Sequence, residues 1–333
     1  MNQVMATEHN LHHEEIMKKR YLFIILIILS IASIFIGVKD VSLSDILHWD
    51  QEKMQIVFIS RLPRLISIIV AGVSLSISGL IMQQLSRNKF VSPTTAGTMD
   101  SAKLGVLVSL LLFTSASPLE KMVVAFIFAL AGTFLFMQIL KRIKFKDTIF
   151  IPLVGIMFGN IISSITTFFA YKYDLIQNIN SWLQGDFSMI MKGRYEILYL
   201  SIPLVIIAFL YANRFTVAGM GEDFAANLGM NYNRVLNIGL IIVALIAALV
   251  VLTVGMIPFL GLIIPNIVSI YRGDNLKNSL PHTALLGAVF VLACDILGRI
   301  VIYPYEISIG LTVGVIGSGI FLYLLMRRNA YAA

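Results

Sequence analysis

Uninterrupted apolar runs, each near the roughly 20 residues that a helix needs to cross about 30 Å of hydrocarbon, recur along almost the whole chain. The first extends from Tyr21 to Val38, and charged or Pro/Gly-rich breaks set it apart from those that follow. Because a backbone in lipid must satisfy its own hydrogen bonds, these runs restrict the fold to an all-α polytopic membrane protein. A β-barrel would alternate apolar and polar residues, and these runs are continuous. Composition agrees: 58% of the 333 residues are hydrophobic and 13% are charged, with a mean hydropathy of +0.88.

Apolar length and Pro/Gly punctuation place about ten spans, at 21–38, 65–85, 95–114, 119–140, 148–170, 195–213, 235–255, 259–271, 281–301 and 307–326. The first is too long for a signal-peptide core and lacks a small-residue cleavage site behind it, so it reads as a transmembrane helix. Gly255, Pro258, Gly261 and Pro265 crowd the short eighth run and predict a bent or partial span. In this order fifteen Lys and Arg residues fall on one side and nine on the other, which puts both termini in the cytoplasm. Residues 1–20 are then a cytoplasmic tail and 21–328 a single transmembrane domain. The formal charge of +7 follows from orientation and does not call for nucleic acid. Arg61, Arg64 and Arg299, on the less basic side, need a separate reason.

Small residues offer helix-packing faces: Gly155 and Gly159, Gly310 and Gly314, and Gly72, Ser76 and Gly79. Cys294 is the one cysteine, which excludes an intramolecular disulfide and leaves a small packing residue. Asp100 and Lys103, spaced i,i+3 near the start of the third run, are expected to pair, since charges within a span are costly.

One polar island stands out on the cytoplasmic side, "GEDFAANLGMNYNR" at 221–234. Gly221 is a tolerable N-cap, Glu222 and Asp223 suit a first turn, and Gly229 is a C-terminal stop, so a short helix is expected from Glu222 to Leu228. Phe224 and Leu228 form one apolar stripe, Ala225 and Gly229 a smaller one. Two turns need a surface to lie on. That surface is either the membrane domain itself or a cytoplasmic partner.

The island resembles the coupling segment of the permease subunits of iron-siderophore and vitamin B12 ABC importers. Other stretches resemble the same family in the same order: "RLPRLISIIVAGVSLSISGLIMQQLSRNKFVSPTTAGT", "GMIPFLGLIIPNIVSIYRG", "LLGAVFVLACDILGR" and "YEISIGLTVGVIGSGIFLYLL". "NKFVSPTTAGTMDSAKLG" is similar to the branch that takes catecholate-type siderophores. The resemblance implies a permease that passes an iron-siderophore complex from an external binding protein into the cytoplasm, across a bacterial cytoplasmic membrane. It implies as partners a second permease, identical or related, two cytoplasmic ATPase subunits and a siderophore-binding protein, with membrane lipid around them. No GxxxxGK[ST] phosphate loop occurs, so ATP and Mg belong on the partner ATPases, and no cofactor, metal or catalytic residue is expected in this chain.

Carried over by position, the resemblance assigns ATPase coupling to segment 219–231 between the sixth and seventh spans, with Gly221, Glu222, Phe224, Ala225, Leu228 and Gly229. It assigns docking of acidic residues of the binding protein to Arg61, Arg64 and Arg299. Snorkelling is the rival role for Arg61 and Arg64. For Arg299 the rival is an i,i+4 pair with Asp295. Asn160, Ser163 and Ser164 are candidates for the wall of the pathway, and Thr148 for a cytoplasmic constriction. "HNLHHEE" at 9–15 gathers metal-ligand types without a constraining fold, and Trp182 fits an interfacial anchor. The alternative, a secondary transporter driven by an ion gradient, would need more carboxylates deep in the spans than Asp100 and Asp295.

Overall fold

The computed structural model describes residues 18–37, 39, 50–93, 97–142, 150–188, 190 and 195–330. All regular structure among them is helical, with no strand. The first helix, α1 (Lys19–Phe35), lies at the periphery. Helix α2 (Gln51–Ile56), capped by the Asp50 carboxylate, runs through a π-turn at Val57–Arg61 into α3 (Leu62–Ser86). The wider turn sits just ahead of Pro63, whose missing N–H leaves a carbonyl one turn back without its usual donor. Helices α4 (Thr98–Leu112), α5 (Pro118–Arg142) and α6 (Phe150–Lys172) pack against one another, and the short α7 (Ile176–Leu183) follows.

After a 3-10 turn at Glu196–Leu200 come α8 (Ser201–Leu210), α9 (Ala212–Met220) and α10 (Glu222–Asn227). The last four are α11 (Tyr232–Val254), α12 (Leu260–Arg272), α13 (Leu276–Ile300) and α14 (Ile309–Ala330). Buried along most of its length, α3 is the central post, with α11, α12 and α13 around it. Its small residues make this possible. A Cβ on Gly72 would stand 2.8 Å from the Gly287 carbonyl oxygen, and one on Gly79 would collide with the backbone of Gly261.

Among the described residues every expected apolar run coincides with helix, but six helices there are long and apolar enough to cross a membrane, or seven if one bent pair counts as a span. The run expected as one span at 195–213 is that pair: it breaks at Tyr211, and the two arms meet at 60°. Its second arm continues to Met220, so residues 214–220, between the expected span and the polar island, are helical. Helix α12 has 13 residues, about 20 Å of rise, which agrees with the partial span expected there. The chain leading into it is extended and hydrogen-bonded within protein: Met256 N–H donates to the Leu183 carbonyl at 2.9 Å, and Asp186 N–H to that of Val254 at 2.9 Å. Inside α12, Pro265 cannot donate to the Gly261 carbonyl, and the buried Gln83 amide reaches that turn instead, 3.1 Å from the Leu262 oxygen and 3.4 Å from that of Gly261. Helix α7 has no apolar run to announce it.

Candidate functional site at the two ends of the bundle

Arg64 and Arg87 stand at opposite ends of α3, about 35 Å apart by helical rise, and each marks a different kind of surface. Near Arg87 lies α10, entered through Gly221 at φ 125°, a conformation that favours glycine, where a Cβ would also crowd the Arg87 guanidinium at 2.8 Å. The helix closes with a Schellman pair: Met230 N–H donates to the Ala225 carbonyl at 2.9 Å and Gly229 N–H to that of Ala226 at 2.8 Å, with Gly229 at φ 70°. Asn231 then caps α11, its side chain accepting from Arg234 N–H at 3.0 Å. Two opposite rules hold on α10. Ala225 is fully buried, whereas Phe224 is 46% and Leu228 62% exposed, so the larger apolar stripe faces away from the chain. Beside it α9 presses on α3, and Leu276 N–H donates to Thr216 Oγ1 at 3.2 Å, which ties the start of α13 to this end.

At the Arg64 end, two arginines, Arg64 and Arg299, meet two carboxylates. The Arg64 guanidinium donates to Asp295 at 2.8 Å and to Glu306 at 2.7 Å. Asp295 also holds Arg299, one turn further along α13, in the i,i+4 pair that was the rival role for that residue. Arg299 in turn donates to the Ser33 carbonyl at 3.1 Å, the Ser33 hydroxyl at 2.6 Å and the Ile36 carbonyl at 2.9 Å. Arg61 donates to the carbonyls of Ile34 and Lys39. Two arginines therefore take up carbonyls left over at the C-terminus of α1, where the helix dipole favours cations. Of the three arginines that the resemblance assigns to docking, Arg61 is 7% exposed and Arg299 5%, because these carbonyls draw both guanidiniums inward. Arg64 and its partner Glu306 retain access to solvent.

Of the expected pathway residues, Asn160 and Ser164 are exposed on α6 and Ser163 is half-buried; Ser164 Oγ donates back to the Asn160 carbonyl at 2.7 Å. Thr148 and residues 9–15 lie outside the described residues. No Asp100–Lys103 ion pair closes among the described residues; the Asp100 carboxylate packs over Gly159, which leaves no room there for a Cβ. Trp182 is half-buried on α7. Nor do three or more metal-ligating side chains gather anywhere among the described residues. Sequence reading missed the role of Asp295 as shared partner of Arg64 and Arg299. Its only sequence signal was the i,i+4 spacing, since Arg64 lies 231 positions away.

A profile of the FecCD transport family matches residues 25–327. The chain belongs to this family. Among FecCD relatives, the petrobactin import system permease protein YclN of Bacillus subtilis (strain 168) is 75% identical over 316 residues, covering 95% of this chain and 100% of its own. The ferric-anguibactin transport system permease protein FatD of Vibrio anguillarum is 41% identical, covering 89% of this chain and 94% of its own. A solved structure of a metal-chelate type ABC transporter in an inward-facing conformation superposes with a TM-score of 0.79 at 24% identity, covering 93% of this chain and 98% of that one. The fold is thus that of a polytopic transporter subunit, and as a FecCD permease the chain is a transport component of an ABC importer.

Proposed function

We propose that this FecCD permease passes a ferric siderophore of the petrobactin kind from an external binding protein into the cytoplasm of a bacterium, through its cytoplasmic membrane. The observation that carries the substrate is the 75% identity to the petrobactin permease across nearly the whole chain. Two copies, or this chain and a related one, enclose the pathway, two ATPases supply ATP and Mg, and the binding protein delivers the complex from outside. Ten spans with both termini inside complete the topology: the short α1, α4 and α12 cross with the help of their neighbours and of the chain flanking them.

In this reading 221–229 is the coupling element. Exposure of Phe224 and Leu228 on a helix otherwise fixed by Ala225 is what a docking knob requires, and Glu222, Gly221 and Gly229 set its ends. At the other end Arg64 meets the binding protein by exchanging Glu306 for an incoming carboxylate, while Arg61 and Arg299 hold the surface from behind. Asn160, Ser163 and Ser164 line the pathway and Thr148 narrows it. The test is uptake of radiolabelled ferric petrobactin in cells lacking the chain, with and without a complementing copy and a functional partner ATPase. Uptake that needs both supports the reading. Uptake that persists without the ATPase and collapses with an ionophore would assign the chain to gradient-driven transport.

A further inference from the structure

Arg64 and Arg87 are the same residue at the two ends of α3, and only one of them is satisfied. Arg64 holds two carboxylates, at 2.8 and 2.7 Å. Among the described residues no acceptor stands within hydrogen-bond reach of the exposed Arg87 guanidinium. Arg87 lines a cavity of about 210 Å³ beside the entry to α10, together with Gln84 of α3, Gly219 of α9, and Lys89 and Asp274. The other two charges in this cavity are spent on each other, since Lys89 Nζ reaches Asp274 at 3.0 Å, and Lys89 also donates to Ser269 Oγ at 3.1 Å. Glu222 and Asp223 open α10 next to Gly221, yet neither pairs with Arg87.

The backbone at Arg87 is unusual as well. It closes α3 at φ 50°, in the left-handed region where glycine or asparagine is the ordinary choice. Backbone preference therefore does not account for arginine at this position. Contact fixes where its side chain lies: a Cβ on Gly221 would stand 2.8 Å from Arg87 Nη2 and 3.2 Å from Cζ. The guanidinium thus rests against the root of α10, the helix on which Phe224 and Leu228 face outward. An arginine beside exposed aromatic and aliphatic side chains has the composition of a binding hot spot. The cavity is too small for a cargo molecule and large enough for one side chain. A guanidinium without an acceptor selects a carboxylate.

We propose that Arg87 receives an acidic side chain of the ATPase subunit, while Phe224 and Leu228 bury their exposed surface on the same subunit. This rests on the reading of 221–229 as the coupling element, and it names the charged half of that contact. The ATPase then grips α3 itself as well as α10. Binding of the full chain in nanodiscs to the ATPase subunit that co-purifies with it would be measured for the wild type, Arg87→Asn, Lys277→Gln and Leu228→Asp. Asparagine suits the left-handed region, so Arg87→Asn removes the guanidinium without straining the turn, and the unfolding midpoint should hold. Lys277→Gln removes one charge from the exposed start of α13, outside the cavity.

Expected is binding about tenfold weaker for Arg87→Asn, with a flatter dependence on salt, and a change of less than about twofold for Lys277→Gln. Unchanged binding by Arg87→Asn while Leu228→Asp binds weakly would overturn the carboxylate receiver and leave α10 as the coupling element. Unchanged binding by both would remove the coupling reading and the receiver with it. A second measurement identifies the acceptor. In Arg87→Lys, treated in the complex with a water-soluble carbodiimide, an amide should join position 87 to an Asp or Glu of the ATPase. A link only to Glu222, Asp223 or Asp274 of this chain, or none from position 87, would count against the proposal and confine Arg87 to the root of α10.

Discussion

The two ends of α3 carry charge in opposite ways. At the Arg64 end, Arg64 and Arg299 share Asp295, while Arg61 and Arg299 take α1 carbonyls, so the charges are spent within the chain. At the Arg87 end, Arg87 lines an open cavity, and Phe224 and Leu228 face outward. A closed network of this kind holds helices in register. An open surface is what a partner needs, because only unsatisfied area changes its free energy on contact. Substitutions at the first end should therefore cost stability, and those at the second should cost association.

The largest break is at Asp295. Asp295→Ala strands two arginines, one of them deeply buried, which costs about 3–5 kcal/mol when one partner of a buried ion pair is removed. Thermal unfolding in detergent should fall by several degrees, with ATPase co-purification of the surviving fraction unchanged. An unaltered midpoint would show that the network is not structural.

Leu228→Asp tests the opposite end. It forfeits burial of a residue now 62% exposed, about 1–2 kcal/mol, and adds the desolvation of a carboxylate. Association with the ATPase should weaken about tenfold or more while the unfolding midpoint stays put. Normal co-purification from membranes would exclude α10 from coupling.

Arg64→Gln is the mildest and the most pointed, since Arg64 belongs to the closed network yet keeps solvent access through Glu306. Its expected effect is a several-fold slower association of the binding protein and a shallower dependence of that rate on salt, as for charges at an interface rim. A change in the midpoint alone, with both kinetic quantities untouched, would confine Arg64 to the scaffold.

Helices were legible wherever the chain is long and apolar, as at Tyr232–Val254, because period and length alone decide there. The ends of α10 were also legible, since Gly221 and Gly229 are local signals. Illegible were the 60° break at Tyr211, which carries no Pro or Gly, and α7, whose eight residues include two asparagines. At the site, Phe224 and Leu228 were readable as one stripe, but the side they face was not. Arg61 read as an outward cation because its partners are backbone carbonyls of another helix, which no side-chain pattern encodes.

The sequence by itself determined a polytopic helical chain, the residues that stop and start its helices, and a short polar island with an apolar stripe. Those properties are local: each follows from residues within a turn or two of one another. Tertiary structure decided which charges come together and which side of α10 faces outward. Asp295 finds Arg64 from 231 positions away. Pairings at such separation are fixed by how closely Gly72 and Gly79 let the helices approach, a matter of packing in three dimensions that no linear spacing records.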